Sequence, residues 1–313
     1  MAENAMSGTR QAAGIHFRRE VADRNFLPRA TVRPLRPKLG HIDFLNCMPL
    51  LWGLARTGIL YDVELIRDSP ERLSDSLVSG ALEIGPISLY EFLRHSDELI
   101  MLPDIAIGSD GPVMSCLIIS KVPLEQLDGA RVALGSASRT SIQLARLLLT
   151  DHVGVRPEFF GCRSDLAAML ETAEAAVVIG DVALRAGQQA AELGLRVYDL
   201  GELWRDWTDL PFVFAVLAAR RDFAERRPED VSRTHRALVT ARDLGSAQIR
   251  TICREVAQWE EFSEELLFEY YTRALDFTLG GRQLDGIAEF ARRLAGQGAE
   301  FPAGPSPRLF EAQ

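Results

Sequence analysis

Four hydroxyl side chains lie within six residues of this sequence, at Ser136, Ser138, Thr140 and Ser141. They follow a predicted strand and precede an amphipathic segment that is typical of a helix. The first turn of a helix has free backbone N–H groups and the positive end of the helix dipole, and both attract anions. A cap needs only one hydroxyl, so we predict that this segment binds a carboxylate group of a ligand. Ordinary capping by Ser138 or Thr140 is the alternative.

Two further polar positions come directly after predicted strands. Asn46 and Cys47 interrupt the apolar segment DFLNCMPLLWGL where a strand gives way to a helix. The Asn46 amide can orient a carboxylate or a departing hydroxyl, whereas Cys47 fits better as a small neighbour than as a nucleophile. Ser88 ends the segment ALEIGPIS and has Glu91 three residues later, which is the pattern of a capping box. A cap and a ligand contact are equally compatible with Ser88 at this stage.

Two more residues are weaker candidates for ligand contacts. Asp181 follows the apolar segment AAVVIG, and we favour a role for its carboxylate as the cap of the next helix, with a ligand contact as the alternative. Ser109 opens the turn-forming segment SDGP at a predicted crossing between two lobes, where it could contact a ligand in the cleft. Trp204 and Trp207 are interpreted as packing residues rather than as a stacking surface.

The composition argues against several classes of function. The chain has a net charge of −9, which disfavours a surface that binds nucleic acid or an anionic membrane. Metal-ligand spacings and glycine-rich phosphate-binding motifs do not occur, so we expect no metal and no cofactor. We find no secretory signal and no apolar run of transmembrane length, and we interpret the four cysteines as reduced thiols in a cytoplasmic protein. The oligomeric state stays open.

Strand and helix signals alternate along most of the chain, which is typical of an α/β protein with parallel sheets. One α/β unit is predicted to lie inside another, with the ligand in the cleft between two lobes. The predicted divisions are a basic N-terminal extension at 1–37, a discontinuous first lobe at 38–115 plus 214–300, a second lobe at 116–213 and a loose tail at 301–313. The extension is interpreted as flexible or, alternatively, as an organellar transit segment. From Pro228 to about Gly296 the pattern is wholly helical.

Five segments together resemble the chorismate dehydratase family of the futalosine route to menaquinone. The segments are HIDFLNCMPLLWGL, LEIGPISLYEFLRH, LPDIAIGSDGPVMSCLIISKVPLEQLDGARVALGSASRTS, AAVVIGDVAL and VYDLGELWRDWTDLPFVFAVLAARR. The LNC-x-P and SDGPV motifs are the parts most specific to this family. The resemblance implies the two-lobed type II periplasmic-binding-protein fold, with a mostly parallel sheet flanked by helices in each lobe and a helical C-terminal segment.

The resemblance also implies a substrate and a reaction. The family removes water from chorismate and gives 3-[(1-carboxyvinyl)oxy]benzoate. The C3 proton of chorismate is vinylogously acidic, and its loss followed by loss of the C4 hydroxyl makes the ring aromatic. The enolpyruvyl carboxylate of the substrate is the favoured base, with Asn46 and Ser88 as the residues that orient it. Asp181 or Cys47 as base is the rival hypothesis.

Three other functions are compatible with the same fold. A non-catalytic binding protein for a small dicarboxylate would use the cleft without chemistry. The sister enzyme that makes dihydroxynaphthoate is the second alternative, although it resembles this chain less at the first strand. An effector domain of a transcription regulator is disfavoured, because residues 1–38 are too short and lack the periodicity of a helix-turn-helix unit.

Overall fold

The computed structural model describes residues 36–136, 138–302 and 308–311. Its strands are β1 (Lys38–Ile42), β2 (Glu64–Asp68), β3 (Ile84–Ser88), β4 (Leu99–Ser109), β5 (Cys116–Ser120), β6 (Arg131–Gly135), β7 (Glu158–Cys162), β8 (Ala175–Ile179), β9 (Arg196–Asp199), β10 (Phe212–Arg220) and β11 (Asp276–Leu279).

The helices cover much of the remaining described chain. They are α1 (Met48–Thr57), α2 (Pro70–Ser79), α3 (Leu89–Arg94), α4 (Arg139–Leu147), α5 (Leu166–Thr172), α6 (Asp181–Gln189), α7 (Leu200–Thr208), α8 (Arg221–Arg226), α9 (Pro228–Ala247), α10 (Ile249–Val256), α11 (Glu264–Glu269) and α12 (Gly281–Gly296). The segments Leu148–Val153 and Tyr270–Ala274 are π-helical turns that continue α4 and α11. Within the described ranges, no helix combines the length and the apolar character needed to cross a membrane.

Two helices begin directly after serine residues that cap them, Ser69 and Ser138. Ser69 accepts a hydrogen bond from Arg72 N–H over 3.4 Å, and α2 ends before Gly80, which has a φ of 79°. Ser138 accepts a hydrogen bond from Ser141 N–H over 3.3 Å at the start of α4. Each cap satisfies an N–H group that has no partner within its helix, and so determines where the helix starts.

The strands form two sheets of mixed pairing. In the first sheet, with the order β11-β4-β10-β3-β1-β2, the strands β1 to β4 run in one direction, and β10 and β11 run in the other. In the second sheet, with the order β7-β6-β8-β5-β9, β5 runs against the other strands named here. Of the described strands, four of the six in the first sheet and four of the five in the second run in one direction, while five of the nine neighbouring strand pairs are antiparallel.

The chain passes between the two sheets twice. The first passage follows Ser109 and the second follows Asp199. The Asp199 carboxylate accepts hydrogen bonds from the N–H groups of Val113 at 3.0 Å and Met114 at 2.6 Å, and it also caps α7. One side chain therefore holds both passages together. By its contacts the chain from Arg36 onward is one compact unit, so the domain boundaries drawn from the sequence stay a prediction.

Three features differ from what the sequence indicated. Strands β4 and β7 were not predicted, and β11 lies in the stretch that was predicted to be wholly helical. β11 is short and pairs with β4, so the pairing rather than a local pattern makes it a strand. The predicted loose tail is anchored at its end, because Leu309 pairs with Met101 and Phe310 is buried. The basic extension, apart from residues 36 and 37, lies outside the described residues.

Candidate functional site

The carboxyl ends of the two sheets contact each other through backbone and side-chain groups. Leu45 N–H donates to Asp181 Oδ1 over 3.1 Å, and Tyr90 N–H donates to Thr140 Oγ1 over 3.0 Å. Leu45 and Tyr90 follow strands of the first sheet, whereas Asp181 and Thr140 lie in the first turns of helices that follow strands of the second. Open α/β sheets bind ligands at this end of their strands. Both hydrogen bonds thus lie where a ligand site is expected.

Asn46 lies in the 3-10 turn Leu45–Cys47 between β1 and α1. Its side-chain Oδ1 is buried and has no hydrogen-bond partner among the described residues. Leaving such a group without a partner costs about 1–3 kcal/mol, so buried polar atoms of this kind need an explanation. A ligand hydroxyl or acid that donates to Oδ1 would remove this cost.

The structure contradicts the capping box predicted for Ser88 and Glu91. The Ser88 hydroxyl makes no bond to α3, and its buried Oγ has no partner among the described residues. Glu91 is 3% exposed and pairs with Arg94 at 3.1 Å and with Arg139 at 3.4 Å. Ser88 N–H donates to Ser74 Oγ over 3.2 Å. Ser74 Oγ and the two guanidinium groups thus replace both bonds that the Glu91 carboxylate and the Ser88 N–H would make in a capping box, and the Ser88 hydroxyl itself has no partner among the described residues.

The four hydroxyl residues around the start of α4 have different surroundings. Ser136 is exposed, whereas Ser138 is buried and caps the helix. Ser141 Oγ donates to Ser138 Oγ over 3.2 Å and lies 3.5 Å from the Sγ of Cys116. Thr140 is fully buried and accepts the hydrogen bond that crosses from the first sheet. Ordinary capping therefore accounts for Ser138, but not for the burial of Thr140 and Ser141.

The carboxylate of Asp181 does not cap α6, which was the role that the sequence favoured. Gly180, with a φ of 65°, is the cap residue, and the Asp181 carboxylate accepts from Leu45 N–H instead. Burial raises the pKa of Asp181 to about 6, because removal from water disfavours the charged form. The Leu45 N–H opposes this rise, and the carboxylate of Glu260 adds to it. Asp181 is thus a partly buried acid whose pKa lies about two units above its ordinary value.

Three other residues from the sequence analysis have contacts that define their roles. The Ser109 hydroxyl donates to the Gly111 carbonyl over 2.9 Å, so its described hydrogen bond is local. Burial raises the pKa of the Cys47 thiol above its usual range, which disfavours the thiolate that a base would need. Trp204 is fully buried and packs edge-to-face on Trp207, which confirms the packing interpretation.

Two tyrosines from the helical C-terminal part reach this region and were not predicted. The Tyr271 hydroxyl donates to the Leu45 carbonyl over 3.0 Å. Tyr270 is fully buried, and its surroundings, which include Cys116 and Asp181, raise its pKa well above the ordinary value, mainly through burial. Both belong to the π-helical turn Tyr270–Ala274, and such turns are frequent at functional sites. In the sequence, two tyrosines in an amphipathic helical pattern look like ordinary core residues.

The arrangement suits the binding and orientation of a small anionic molecule. Asn46 and Ser88 follow neighbouring strands and offer buried polar atoms, and the first turn of α4 offers N–H groups and hydroxyls. A carboxylate can be held at such a helix terminus, while an amide and a hydroxyl orient a second polar group. Among the described residues, no three His, Cys, Asp or Glu side chains are grouped so that they could hold a metal ion.

Comparison with known proteins places the chain in a family. A family model described as menaquinone biosynthesis matches residues 37–296. The chain is 31% identical to a chorismate dehydratase of Thermus thermophilus over 271 residues, which cover 82% of this chain and 94% of that protein. It is 25% identical to a 1,4-dihydroxy-6-naphtoate synthase of the same organism over 250 residues, which cover 79% of this chain and 87% of that protein.

The fold is also found among solved structures. The periplasmic aliphatic sulphonate binding protein of Escherichia coli matches with a TM-score of 0.63 at 14% identity, covering 90% of this chain and 93% of that protein. The fold is therefore the two-lobed periplasmic-binding-protein fold that the sequence predicted. Because the family match runs through both sheets and the helices that begin at their facing edges, the chain belongs to the menaquinone biosynthesis family.

Proposed function

We propose that this protein dehydrates chorismate to 3-[(1-carboxyvinyl)oxy]benzoate, the first step of futalosine-dependent menaquinone biosynthesis. The observation that carries the proposal is the 31% identity to the Thermus chorismate dehydratase over 82% of the chain, against 25% identity to the naphthoate synthase. The site supports it, because Asn46 after β1 and Ser88 at the end of the neighbouring β3 have buried polar atoms without partners among the described residues, at the edge that contacts α4 through Tyr90 and Thr140. The protein is then a hydro-lyase.

The proposed reaction needs little from the protein besides binding and orientation. The C3 proton leaves chorismate first, and the negative charge spreads through the ring double bond to the ring carboxylate. The C4 hydroxyl then departs, takes up the proton and leaves as water, and the ring becomes aromatic. Groups that hold both carboxylates and stabilise the growing charge are therefore sufficient.

We assign the two carboxylates of chorismate to different parts of the site. The first turn of α4, with Ser136, Ser138, Thr140 and Ser141, is suited to one carboxylate through its N–H groups and hydroxyls. Asn46 and Ser88 are suited to the enolpyruvyl carboxylate and to the departing hydroxyl, since an amide and a hydroxyl can both donate and accept. Ser109 is left out of the proposed contacts, because its hydroxyl already donates to a backbone carbonyl.

The enolpyruvyl carboxylate of the substrate remains our proposed base. The buried thiol of Cys47 is disfavoured by its raised pKa. Asp181, with a pKa raised to about 6, could accept a proton at neutral pH and is the rival base. The two hypotheses differ for Asp181→Asn, which removes a base but leaves an oxygen that can accept the hydrogen bond from Leu45 N–H.

The proposal is tested by incubating the purified protein with chorismate and following new aromatic proton signals by NMR. We expect turnover by the wild-type protein and a loss of about 10²-fold in kcat/KM for Asn46→Ala, since an orienting group is removed. Trp207→Ala is a matched control, because it alters a packing residue outside the proposed contacts. Binding of chorismate without turnover would instead indicate a binding protein, and no interaction with chorismate would favour the naphthoate synthase.

The cellular setting is part of the same proposal. The four cysteines are free thiols, three of them buried, which supports the reducing cytoplasm as the compartment in which chorismate is used. The ligand class, a small molecule bound between the sheets, is supported by the binding protein that shares the fold.

A further inference from the structure

The backbone of Leu45 is held at both of its polar groups by residues that are distant in the chain. Its N–H donates to Asp181 Oδ1 over 3.1 Å, and its carbonyl accepts from the Tyr271 hydroxyl over 3.0 Å. The partners are 136 and 226 positions away in the sequence. Leu45 directly precedes Asn46, so these two bonds fix the backbone from which the Asn46 side chain projects.

Residues 44 and 45 are also closely packed against the start of α6. Gly180 has a φ of 65°, and a Cβ atom there would lie 3.0 Å from the ring of Phe44. The Leu45 side chain belongs to a buried cluster with Leu184 of α6 and with Tyr271. The start of α6 therefore packs directly on residues 44 and 45. The hydrogen bond from Leu45 N–H to Asp181 fixes the orientation of the two segments at this contact.

The nearby charges do not give Asp181 another function in an ion pair. The basic side chain that lowers its pKa, Arg185, pairs with Glu261. The remaining influences are the carboxylates of Glu260 and Asp43, which are of the same sign. The hydrogen bond from Leu45 N–H is thus the larger of the two interactions that favour the Asp181 carboxylate, ahead of the attraction of Arg185.

We propose that Asp181 and Tyr271 are positioning residues that hold the Leu45 backbone so that the Asn46 amide points at the substrate. Asp181 follows a strand of the second sheet, and Asn46 follows a strand of the first. The orientation of Asn46 therefore depends on the contact between the two sheets, and Asp181 acts through Leu45 rather than on the proton of the substrate. The expected effect on turnover rests on the proposed function, whereas the two hydrogen bonds that hold the Leu45 backbone do not depend on that function.

The kinetic test compares Asp181→Asn, which keeps an acceptor oxygen, with Asp181→Ala, which does not. We expect Asp181→Asn to retain kcat within about threefold, and Asp181→Ala and Tyr271→Phe each to lower kcat by about tenfold or more with a smaller change in KM. The double variant Asp181→Ala/Tyr271→Phe should lose less than the product of the two single losses, because both residues act on one backbone segment. Equal losses for Asp181→Asn and Asp181→Ala would overturn the proposal in favour of a base.

A second measurement needs no substrate. Amide hydrogen exchange of Leu45, followed by NMR or mass spectrometry, should be at least tenfold faster in Asp181→Ala than in the wild-type protein and nearly unchanged in Asp181→Asn. Asp165→Ala is the matched control, since it removes an aspartate bond to a backbone N–H, that of Ala168 at 3.2 Å, at the start of α5. Unchanged exchange in Asp181→Ala would overturn the proposal. Altered exchange in a protein that does not dehydrate chorismate would instead contradict the proposed function.

Discussion

Replacement of Asp181 by asparagine is expected to stabilise the protein at neutral pH. The carboxylate is largely buried, and burial raises its pKa from 3.8 to about 6. An unfolded chain would ionise this group at about its ordinary pKa of 3.8, so between these two values the folded state holds a proton that the unfolded state has lost. Charging therefore works against the folded state as the pH rises.

The magnitude follows from the size of the shift. A difference of about two units corresponds to about 3 kcal/mol, at 1.36 kcal/mol per unit. The stabilising contribution of the protonated form is complete below about pH 4, falls between about pH 4 and 6, and is absent above that range. Asparagine carries no charge and keeps the acceptor for Leu45 N–H, so Asp181→Asn lacks this pH dependence.

Urea unfolding of both proteins between pH 4 and 8 measures this difference. The free energy of unfolding of Asp181→Asn minus that of the wild-type protein should increase by about 3 kcal/mol between about pH 4 and 7. Asp165→Asn, at an exposed carboxylate, serves as the control and should show no comparable increase. A difference that is the same at all pH values, or that shrinks as the pH rises, would refute the argument from burial.

Three further changes test other parts of the structure. Ser88→Ala removes a buried hydroxyl that has no partner within the described ranges, so the ligand-free protein should keep its stability or gain up to about 1 kcal/mol in urea unfolding. Chorismate turnover should fall about tenfold, and a clear loss of stability would indicate that the hydroxyl does have a partner. Cys47→Ala should retain turnover within about tenfold, because the buried thiol stays protonated, and a loss of ~10³ in a folded variant that binds chorismate would contradict the proposed base. Trp204→Ala should lower the free energy of unfolding by about 3–5 kcal/mol, because the side chain is fully buried. Trp207→Ala should lower it by less, because Trp207 is only partly buried.

Much of the fold follows from local patterns that the sequence carries by itself. Ser69 and Ser138 are followed by amphipathic segments, and both cap helices; for Ser138, capping was the alternative to the predicted anion binding. The alternation of strands and helices indicated an α/β protein, and the family resemblance indicated the two-lobed fold. Strand β11 could not be predicted, because its residues become a strand by pairing with β4, about 170 residues earlier in the chain.

The candidate site was found from the sequence only in outline. Polar residues after apolar strands indicated Asn46, Ser88 and the start of α4, since the ends of parallel strands meet at one edge. The hydrogen-bond partners of these residues did not follow from the sequence pattern. Ser88 and Glu91 have the pattern of a capping box, but Arg139 of α4 pairs with the Glu91 carboxylate and Ser74 Oγ accepts from Ser88 N–H. The Ser88 hydroxyl has no hydrogen-bond partner in the described part of the chain.

The sequence by itself therefore determined which types of polar group reach the carboxyl ends of the strands. Strand and helix patterns depend on residues that are neighbours in the chain, so the sequence shows where each strand ends. The tertiary structure decided which of these polar groups have hydrogen-bond partners within the protein and which are available to a ligand. Asp181 could cap its own helix, yet it accepts from Leu45 N–H, and Tyr271 holds the other side of the same residue. A buried polar atom bonds to whatever partner the packing places within about 3 Å, and that partner can come from any part of the chain.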